Sequence, residues 1–453
     1  MARRGRPGRS GAALVIAMGT LAAACAAPGG NSVQPQATSA SPASATPTCG
    51  TAPTQLDGYF ETGFPLPKAL TNEFTKQHPN VTWDIREDQF AVITQNAPRV
   101  LADNPPDLMR LPQVSELVKD NLLKNLDGYA TAFGWDKWPA SQLEQLRLGS
   151  GGRPRGEGSL YALGLNFSMT GVFYNKKLAA QIGMSAPPTT LAELDEVLDK
   201  AKKAGITPIL QFNGGATGGL AFPLQNLMAS YGPTGPINDW IFQKPGATID
   251  TPSNLQAAQH LERWTKAGYF QKDVNAVDYA TMMSRFIDGQ GLFMFNGDWE
   301  SGNLDKQMPG NVGFYLMPSA QQGGKLAAMS APLTFGIAAN AKNADCAAFF
   351  LDWVATDKRA REIGVEIGGS RPMGPADAYM PTVAPDKVTA STLAAGADIA
   401  RDDGAMDFIA NATGAIYAKS WTPQLQKLVA GQQTPQELLK TVQEDYAGQL
   451  EGN

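Results

Sequence analysis

The sequence has very few of the side chains that metal sites and nucleophilic enzymes use. Only two histidines, His78 and His260, occur among 453 residues, and the three cysteines, Cys25, Cys49 and Cys346, lie far apart. Metal centres and catalytic triads require such side chains in close groups. We therefore expect no metal, no cofactor and no histidine-based catalysis.

Acidic side chains outnumber basic ones, and the excess is larger outside the N-terminus. The formal net charge is −5, and Arg3, Arg4, Arg6 and Arg9 all lie in the first 24 residues. A chain that loses this segment is more acidic still. Nucleic acids and anionic membrane surfaces attract basic proteins, so the composition argues against either as the main partner.

The first 24 residues have the layout of a signal peptide. The arginines precede an apolar stretch, residues 12–24, which is too short to span a bilayer as a stable helix. It leads into LAAAC, residues 21–25, which resembles the lipobox of bacterial lipoproteins, although the leucine stands one position upstream of its usual place. The resemblance implies a lipid on Cys25. Cleavage by an ordinary signal peptidase is the alternative.

Residues 26–54 consist largely of Pro, Ser, Thr, Ala and Gly. Such a segment cannot bury enough apolar surface to fold, so residues 25–54 are predicted to form the lipidated cysteine and a flexible tether. Its random-coil reach is roughly 25–30 Å. An exported location would also permit a disulfide between Cys49 and Cys346, and we leave this pairing open.

The rest of the chain alternates strand and helix patterns. Strand-like segments at residues 55–60, 81–85 and 106–111 are separated by amphipathic stretches. This order is typical of βαβ units, so we predict an α/β fold. A further helix begins at Thr190, which with Glu193 forms a capping box, and a strand is expected over residues 206–210.

One buried strand organises the second half of the chain. Residues 291–302 read GLFMFNGDWESG, and the apolar run 292–295 indicates a strand buried on both faces. Asp298 and Trp299 follow at its carboxyl end, where open α/β sheets bind ligands. Trp299 as a core aromatic is the competing interpretation.

A family resemblance rests on ordered motifs. The run Tyr174-Asn175-Lys176, followed by Pro187-Pro188-Thr189-Thr190 and an amphipathic helix, closely resembles a segment of the extracellular solute-binding proteins of bacterial ABC importers. These belong to the maltose-binding-protein-like group, which mostly carries sugars. Other segments follow in the family's order: residues 106–108, 286–299, 312–318, 343–357, 368–372 and 434–438. The resemblance covers nearly everything after the tether.

The resemblance implies a two-lobed periplasmic-binding-protein-like fold of type II, with discontinuous lobes joined by hinge strands and with C-terminal helices. Lobe one would hold residues 55–165 and 334–372, and lobe two would hold residues 166–333 and 373–453. The implied function is that of a monomeric, non-enzymatic lipoprotein at the outer face of the cell membrane. It would capture an extracellular mono- or oligosaccharide and deliver it to the permease subunits of an ABC transporter.

A sugar site needs planar polar groups for the hydroxyls and aromatic rings for the C–H faces. We expect such side chains at the carboxyl ends of the strands and in the last hinge turn, and the resemblance implies sugar contacts from these same segments. The candidates are Glu61, Phe64, Asp88, Gln211, Asn213, Asp298, Trp299 and Arg371. Each has a structural alternative as a cap, a turn residue or a core side chain. Phe222, Trp240, Phe408 and Trp421 are further aromatic candidates.

Two other functions remain open from the sequence. The same fold could bind a non-sugar solute such as a polyamine or a phosphate ester. An exported glycoside hydrolase would need two carboxylates, for which Asp298 and Glu300 are the candidates.

Overall fold

The computed structural model describes residues 46–111, 113–215, 217–321 and 323–451. The predicted signal peptide, Cys25 and most of the predicted tether lie outside these ranges. Within them, no helix combines the length and the apolar character needed to cross a membrane.

The strands of the described residues differ in length. They are β1 (Thr54–Glu61), β2 (Val81–Asp88), β3 (Leu108–Arg110), β4 (Arg147–Leu148), β5 (Ser159–Leu160), β6 (Leu163–Asn175), β7 (Phe293–Gly297), β8 (Val312–Tyr315), β9 (Ala328–Gly336), β10 (Arg371–Pro372) and β11 (Ala405–Met406). Four of them, β1, β2, β6 and β9, have eight or more residues, and the others are short.

The same ranges contain seventeen α-helices, two of which end the described chain. They are α1 (Pro65–Gln77), α2 (Phe90–Asp103), α3 (Ser115–Lys119), α4 (Asp127–Phe133), α5 (Ala140–Leu143), α6 (Lys176–Gln181), α7 (Leu191–Lys203), α8 (Ala221–Tyr231), α9 (Thr234–Ile241), α10 (Pro252–Lys266), α11 (Tyr279–Ile287), α12 (Ser301–Gln307), α13 (Ala344–Thr356), α14 (Lys358–Glu366), α15 (Val388–Asp402), α16 (Thr422–Val429) and α17 (Pro435–Glu451).

Two separate hydrophobic cores define two lobes. The first core takes its buried side chains from residues 56–165 and 335–373. The second takes them from residues 169–329 and 388–446. The mixed α/β class with two lobes is the predicted one. The predicted lobe boundaries stay a prediction, because a core does not define where a lobe ends.

The strand order β10-β6-β9-β3-β1-β2 connects the two lobes, with β7 and β8 also pairing with β6. In the first lobe β1 is parallel to β2 and β3, as expected for βαβ units. Strand β6 belongs to both lobes: residues 163–169 pair with β9, and residues 170–175 pair with β7 and β8. Strands β6 and β9 therefore form the hinge region, with β10 at the edge of β6.

The buried strand of the second lobe is β7, and all five of its residues are buried. It begins one residue later than predicted and runs to Gly297. It pairs antiparallel with β6 on one side and makes a parallel bridge between Phe293 and Ile209 on the other. The strand predicted over residues 206–210 was wrong, because only Ile209 makes bridges there.

The N-terminal end of the described chain is fastened to α13. A disulfide joins Cys49 to Cys346. Nearby, the carboxylate of Asp107 accepts hydrogen bonds from Asp57 N at 3.0 Å and from Asn343 N at 2.7 Å. These bonds cross-link the start of the first lobe to a segment that comes much later in the chain.

The start of α7 agrees with its predicted cap only in part. Thr190 is the N-cap, and its side-chain oxygen accepts a hydrogen bond from Glu193 N at 3.1 Å. In a capping box the Glu193 carboxylate would accept a hydrogen bond from the backbone N–H of Thr190. The carboxylate accepts from Thr189 N instead, at 2.7 Å.

Candidate ligand-binding site

Polar side chains collect at one edge of the first lobe because three strands end there. Glu61 and Asp88 are in register as the last residues of β1 and β2, and Arg110 ends β3. The positions of Glu61 and Asp88 are as predicted. Arg110 was missed, although it satisfies the same rule about the carboxyl ends of parallel strands.

Glu61 and Arg110 form a largely buried ion pair. Arg110 Nε lies 3.2 Å from Glu61 Oε2, and the side chains of Arg110 and Glu61 are 15% and 13% exposed. Burial raises the pKa of the Glu61 carboxyl, although the Arg110 guanidinium opposes this shift. Arg110 also lies over the Phe90 ring, 5.4 Å from its centre. The pair presents hydrogen-bonding atoms whose charges largely cancel.

Asp88 is a better-solvated acceptor at the same edge. The Tyr59 hydroxyl donates to it at 2.8 Å, and Arg86 Nη2 donates to it at 2.8 Å. These two bonds hold the pKa of the Asp88 carboxyl below its usual range. Burial and the neighbouring Asp88 raise the pKa of Tyr59 to about 12. Asp88 is therefore a permanent carboxylate at neutral pH.

The first lobe also contributes an aromatic ring. Phe64 is the residue before α1, and its side chain is half-buried. Its ring centre lies 6.5 Å from that of Trp299 in the second lobe. Phe64 and Trp299, two separate candidates from the sequence, thus lie together in the structure although they come from opposite lobes.

Trp299 is oriented by a hydrogen bond from its indole N–H and by the bond that follows it. Its Nε1 donates to the Tyr279 hydroxyl at 2.8 Å, and that hydroxyl donates to Glu300 Oε1 at 2.6 Å. The N–H is therefore occupied within the protein. Because the ring itself is only half-buried, a flat face is what Trp299 offers to a ligand. Tyr279 was not predicted, since no local pattern links it to Trp299.

Three more rings extend from Trp299. Phe222 lies 6.0 Å from Trp299 and stacks on Phe408 at 5.4 Å, and Phe408 contacts Tyr417 at 5.2 Å between ring centres. We call Trp299, Phe222, Phe408 and Tyr417 the aromatic platform. Trp240 and Trp421, the other aromatic candidates, are completely buried core side chains.

Asp298 lies next to the platform but beneath the surface. It is 2% exposed and accepts a hydrogen bond from Ser370 Oγ at 2.7 Å. Burial raises the pKa of Asp298 to about 8, even though the Ser370 hydroxyl and the Met169 amide act in the opposite direction. At neutral pH its carboxyl is largely protonated. It connects the second lobe to the segment that enters β10.

Gln211 and Asn213 differ from the expectation that they lie open at a strand end. Both side chains are completely buried. Gln211 Nε2 donates to the carbonyls of Gly219 and Phe295 at 3.0 and 3.1 Å, and Asn213 Nδ2 donates to Asn275 Oδ1 at 3.0 Å. They brace the segment that leads to Phe222. Gln211 and Asn213 therefore support the aromatic platform through their buried hydrogen bonds and offer no free side chain to a ligand.

Arg371 occupies the predicted hinge turn. It lies in β10, paired with Phe167 of β6, and its side chain is exposed. The structure therefore leaves its guanidinium accessible to solvent beside the hinge.

Comparison with known sequences gives a consistent family assignment. A family model described as bacterial extracellular solute-binding protein matches residues 61–360. A probable sugar-binding periplasmic protein of Rhizobium meliloti is 29% identical over 221 residues, 47% of this chain and 49% of the relative. A multiple sugar-binding protein of Streptococcus mutans is 22% identical over 312 residues, 67% of this chain and 70% of the relative. The chain matches about half the length of the first of these relatives.

Solved structures share the fold. A chitin oligosaccharide binding protein superimposes with a TM-score of 0.70 at 19% identity, covering 87% of this chain and 98% of the other. The solute-binding protein RafE in complex with raffinose gives a TM-score of 0.67 at 18% identity, covering 87% and 99%. At this level of identity the likeness establishes the two-lobed architecture and leaves the ligand open.

Proposed function

The chain belongs to the bacterial extracellular solute-binding proteins, and we propose that it captures an uncharged mono- or oligosaccharide between its two lobes for import. The observation that carries the proposal is the aromatic platform opposite Phe64, with Glu61, Asp88 and Arg110 at the first-lobe edge. Aromatic rings cover the C–H faces of a sugar, and carboxylates and guanidinium groups bond its hydroxyls. The relatives named as sugar-binding proteins support this ligand class.

We propose a binding protein without catalysis. A glycoside hydrolase needs two carboxyl groups that face one bond. Asp298 is buried against Ser370, and Glu300 accepts hydrogen bonds from Tyr279 at 2.6 Å and Asn303 at 3.1 Å. Both groups thus have structural partners, and ligand binding would act by shifting the equilibrium between open and closed lobes.

Calorimetric titration of the protein with mono- and oligosaccharides tests the ligand class. We expect saturable binding with no change in the sugar recovered afterwards. A ligand at 100 times its Kd should stabilise the fold by about 2.7 kcal/mol, which a thermal-shift screen can detect. Hydrolysis of a glycoside that disappears in Glu300→Gln would overturn the proposal. So would tight binding of a polyamine or a phosphate ester in a screen where no sugar binds.

The proposal includes a location and partners. A lipid on Cys25 would hold the monomeric protein at the outer face of the cell membrane. The permease subunits of an ABC transporter would recognise its closed form. Labelling of cells with a radioactive fatty acid tests the anchor: we expect incorporation into the protein and none into Cys25→Ala. Equal labelling of the two would exclude this anchor.

A further inference from the structure

Arg155 and Asp407 form a buried ion pair, and neither is among the candidate ligand-binding residues. Arg155 Nη2 lies 2.5 Å from Asp407 Oδ2, and the two side chains are 7% and 1% exposed. Both charges lose their water on burial, and removal of one partner from such a pair strongly destabilises a protein. Because burial of the two charges is unfavourable, the segments that the pair holds together are of interest.

The pair crosses from one lobe to the other. Arg155 lies in the loop of the hairpin formed by β4 and β5, whose residues Leu148 and Leu160 belong to the first core. Its backbone N–H donates to the Phe242 carbonyl in the second lobe at 2.9 Å. Asp407 follows β11, also in the second lobe. The hairpin of the first lobe therefore inserts a charged side chain into the second.

The guanidinium is also connected to the hinge. Arg155 Nη2 donates to the Gln145 carbonyl at 2.9 Å, and Gln145 Nε2 donates to the carbonyl of Ser330 in β9 at 2.7 Å. Strand β11, just before Asp407, pairs with β9 at residues 328 and 329. Arg155 is thus fixed beside a strand that links the lobes.

Asp407 in turn holds the residue that follows it. Its Oδ1 accepts from Phe408 N at 2.6 Å and from Asn411 Nδ2 at 2.8 Å, while Oδ2 faces Arg155. Arg155 Nη1 adds a bond to the Asn411 carbonyl at 3.3 Å. Phe408 stacks on Phe222 in the aromatic platform. A continuous set of bonds therefore leads from the first-lobe hairpin to a ring of the second-lobe site.

We propose that Arg155 is a positioning residue for the ligand site: acting through Asp407, it fixes Phe408 in the aromatic platform from the opposite lobe. The link to ligand binding rests on the proposed function, whereas the link to the Phe408 ring does not. A lysine at this position could meet Asp407 but lacks the planar fork that also reaches Gln145 and Asn411.

The first experiment needs no ligand. Protein labelled with 4-fluorophenylalanine is observed by fluorine NMR, and the Phe408 resonance is assigned with Phe408→Leu. We expect this resonance to move or broaden in Arg155→Met and to move less in Arg155→Lys. The matched control is Arg153→Met, because Arg153 lies in the same loop but donates to the Leu450 carbonyl instead. An unchanged Phe408 resonance in a folded Arg155 variant overturns the proposal, as does an equal change in Arg153→Met.

The second experiment is a double-mutant cycle on sugar affinity. We expect Arg155→Met to weaken binding by about tenfold, which corresponds to about 1.4 kcal/mol. Arg155→Lys, which replaces it should the methionine variant not fold, should weaken binding by a smaller factor. The Arg155 substitution should cause no further loss of affinity in a Phe408→Ala background. The effects of two substitutions do not add when one residue acts through the other. Equal losses in both backgrounds would overturn the proposal. Absence of sugar binding by the unaltered protein would count against the proposed function, while the fluorine signal would still decide the role of Arg155.

Discussion

Phe64 and Trp299 contact each other from opposite lobes, with ring centres 6.5 Å apart and ring planes inclined by 48°. This separation is within the range in which aromatic rings attract one another. A sugar that stacks on Trp299 must therefore lie beside Phe64 or displace it, so ligand entry is coupled to the spacing of the lobes.

Replacement of Trp299 by alanine should abolish the thermal shift that sugar produces. The half-buried ring is the largest flat surface of the platform, whereas its removal empties no deep core position. We therefore expect the melting temperature of the unliganded protein to stay within a few degrees of the original. Differential scanning fluorimetry with and without sugar measures both quantities. A large loss of stability without ligand would instead assign Trp299 to the core.

Gly297 should be required for the position of that ring. A Cβ atom added to Gly297 would lie 1.9 Å from the Trp299 ring. Gly297→Ala must therefore displace the indole, and we expect sugar affinity to fall at least tenfold in calorimetric titration, about 1.4 kcal/mol. Gly235→Ala is the matched control, since a Cβ at Gly235 has nothing within 4 Å. Equal affinities of Gly297→Ala and the unaltered protein would contradict the expectation.

Asp298 should make the protein less stable as the pH rises. In the unfolded chain its carboxyl loses a proton near pH 3.9, whereas in the folded protein burial raises the pKa of Asp298 to about 8. The folded state thus binds more protons between these values, and the free energy of unfolding falls from about pH 4 to pH 8. Asp298→Asn keeps an acceptor for Ser370 and should flatten the curve. Calorimetric melting at pH 5 and pH 8 tests this, with the exposed Asp103→Asn as control. Parallel curves for Asp298→Asn and the original would refute it.

Reduction of the disulfide between Cys49 and Cys346 should destabilise the first lobe. The two cysteines are 297 residues apart in sequence, so the bond restricts the unfolded chain strongly. Loss of a native disulfide typically costs about 2–5 kcal/mol. We expect dithiothreitol to lower the melting temperature of the unaltered protein but not that of Cys49→Ala/Cys346→Ala. Sugar affinity should not change, because the bond lies away from the platform. A melting temperature insensitive to dithiothreitol would show that the bond is absent or without consequence.

Glu61 and Asp88 at one edge of the candidate site, and three of the four rings of the aromatic platform, were predicted from the sequence. Glu61, Asp88 and Trp299 were predicted because each lies at the carboxyl end of a predicted strand. In open α/β sheets the ligand binds at this edge. Arg110 could have been found by the same rule. It was missed because the strand was predicted over residues 106–111, which places Arg110 inside the strand, whereas β3 ends at Arg110.

The remaining parts depend on contacts that no local pattern encodes. Gln211 and Asn213 stand close to the predicted strand end, but which way they point is decided by the carbonyl and amide partners that the fold supplies. Tyr279 meets Trp299 only because α11 packs beside β7. Arg155 and Asp407 are separated by 252 residues, and their types alone would have suggested two solvated surface charges.

The pairing of β3 with β9 has a consequence for how the protein acquires its structure. The first lobe contains β1, β2 and β3 early in the chain, yet β3 completes its pairing only with β9, and the first core is closed by residues 335–373. A growing chain therefore cannot finish its first lobe before most of the second has been made. Contacts between distant residues form slowly, and incomplete sheets expose unpaired edges. The interval between synthesis and completion of the first lobe should thus be long.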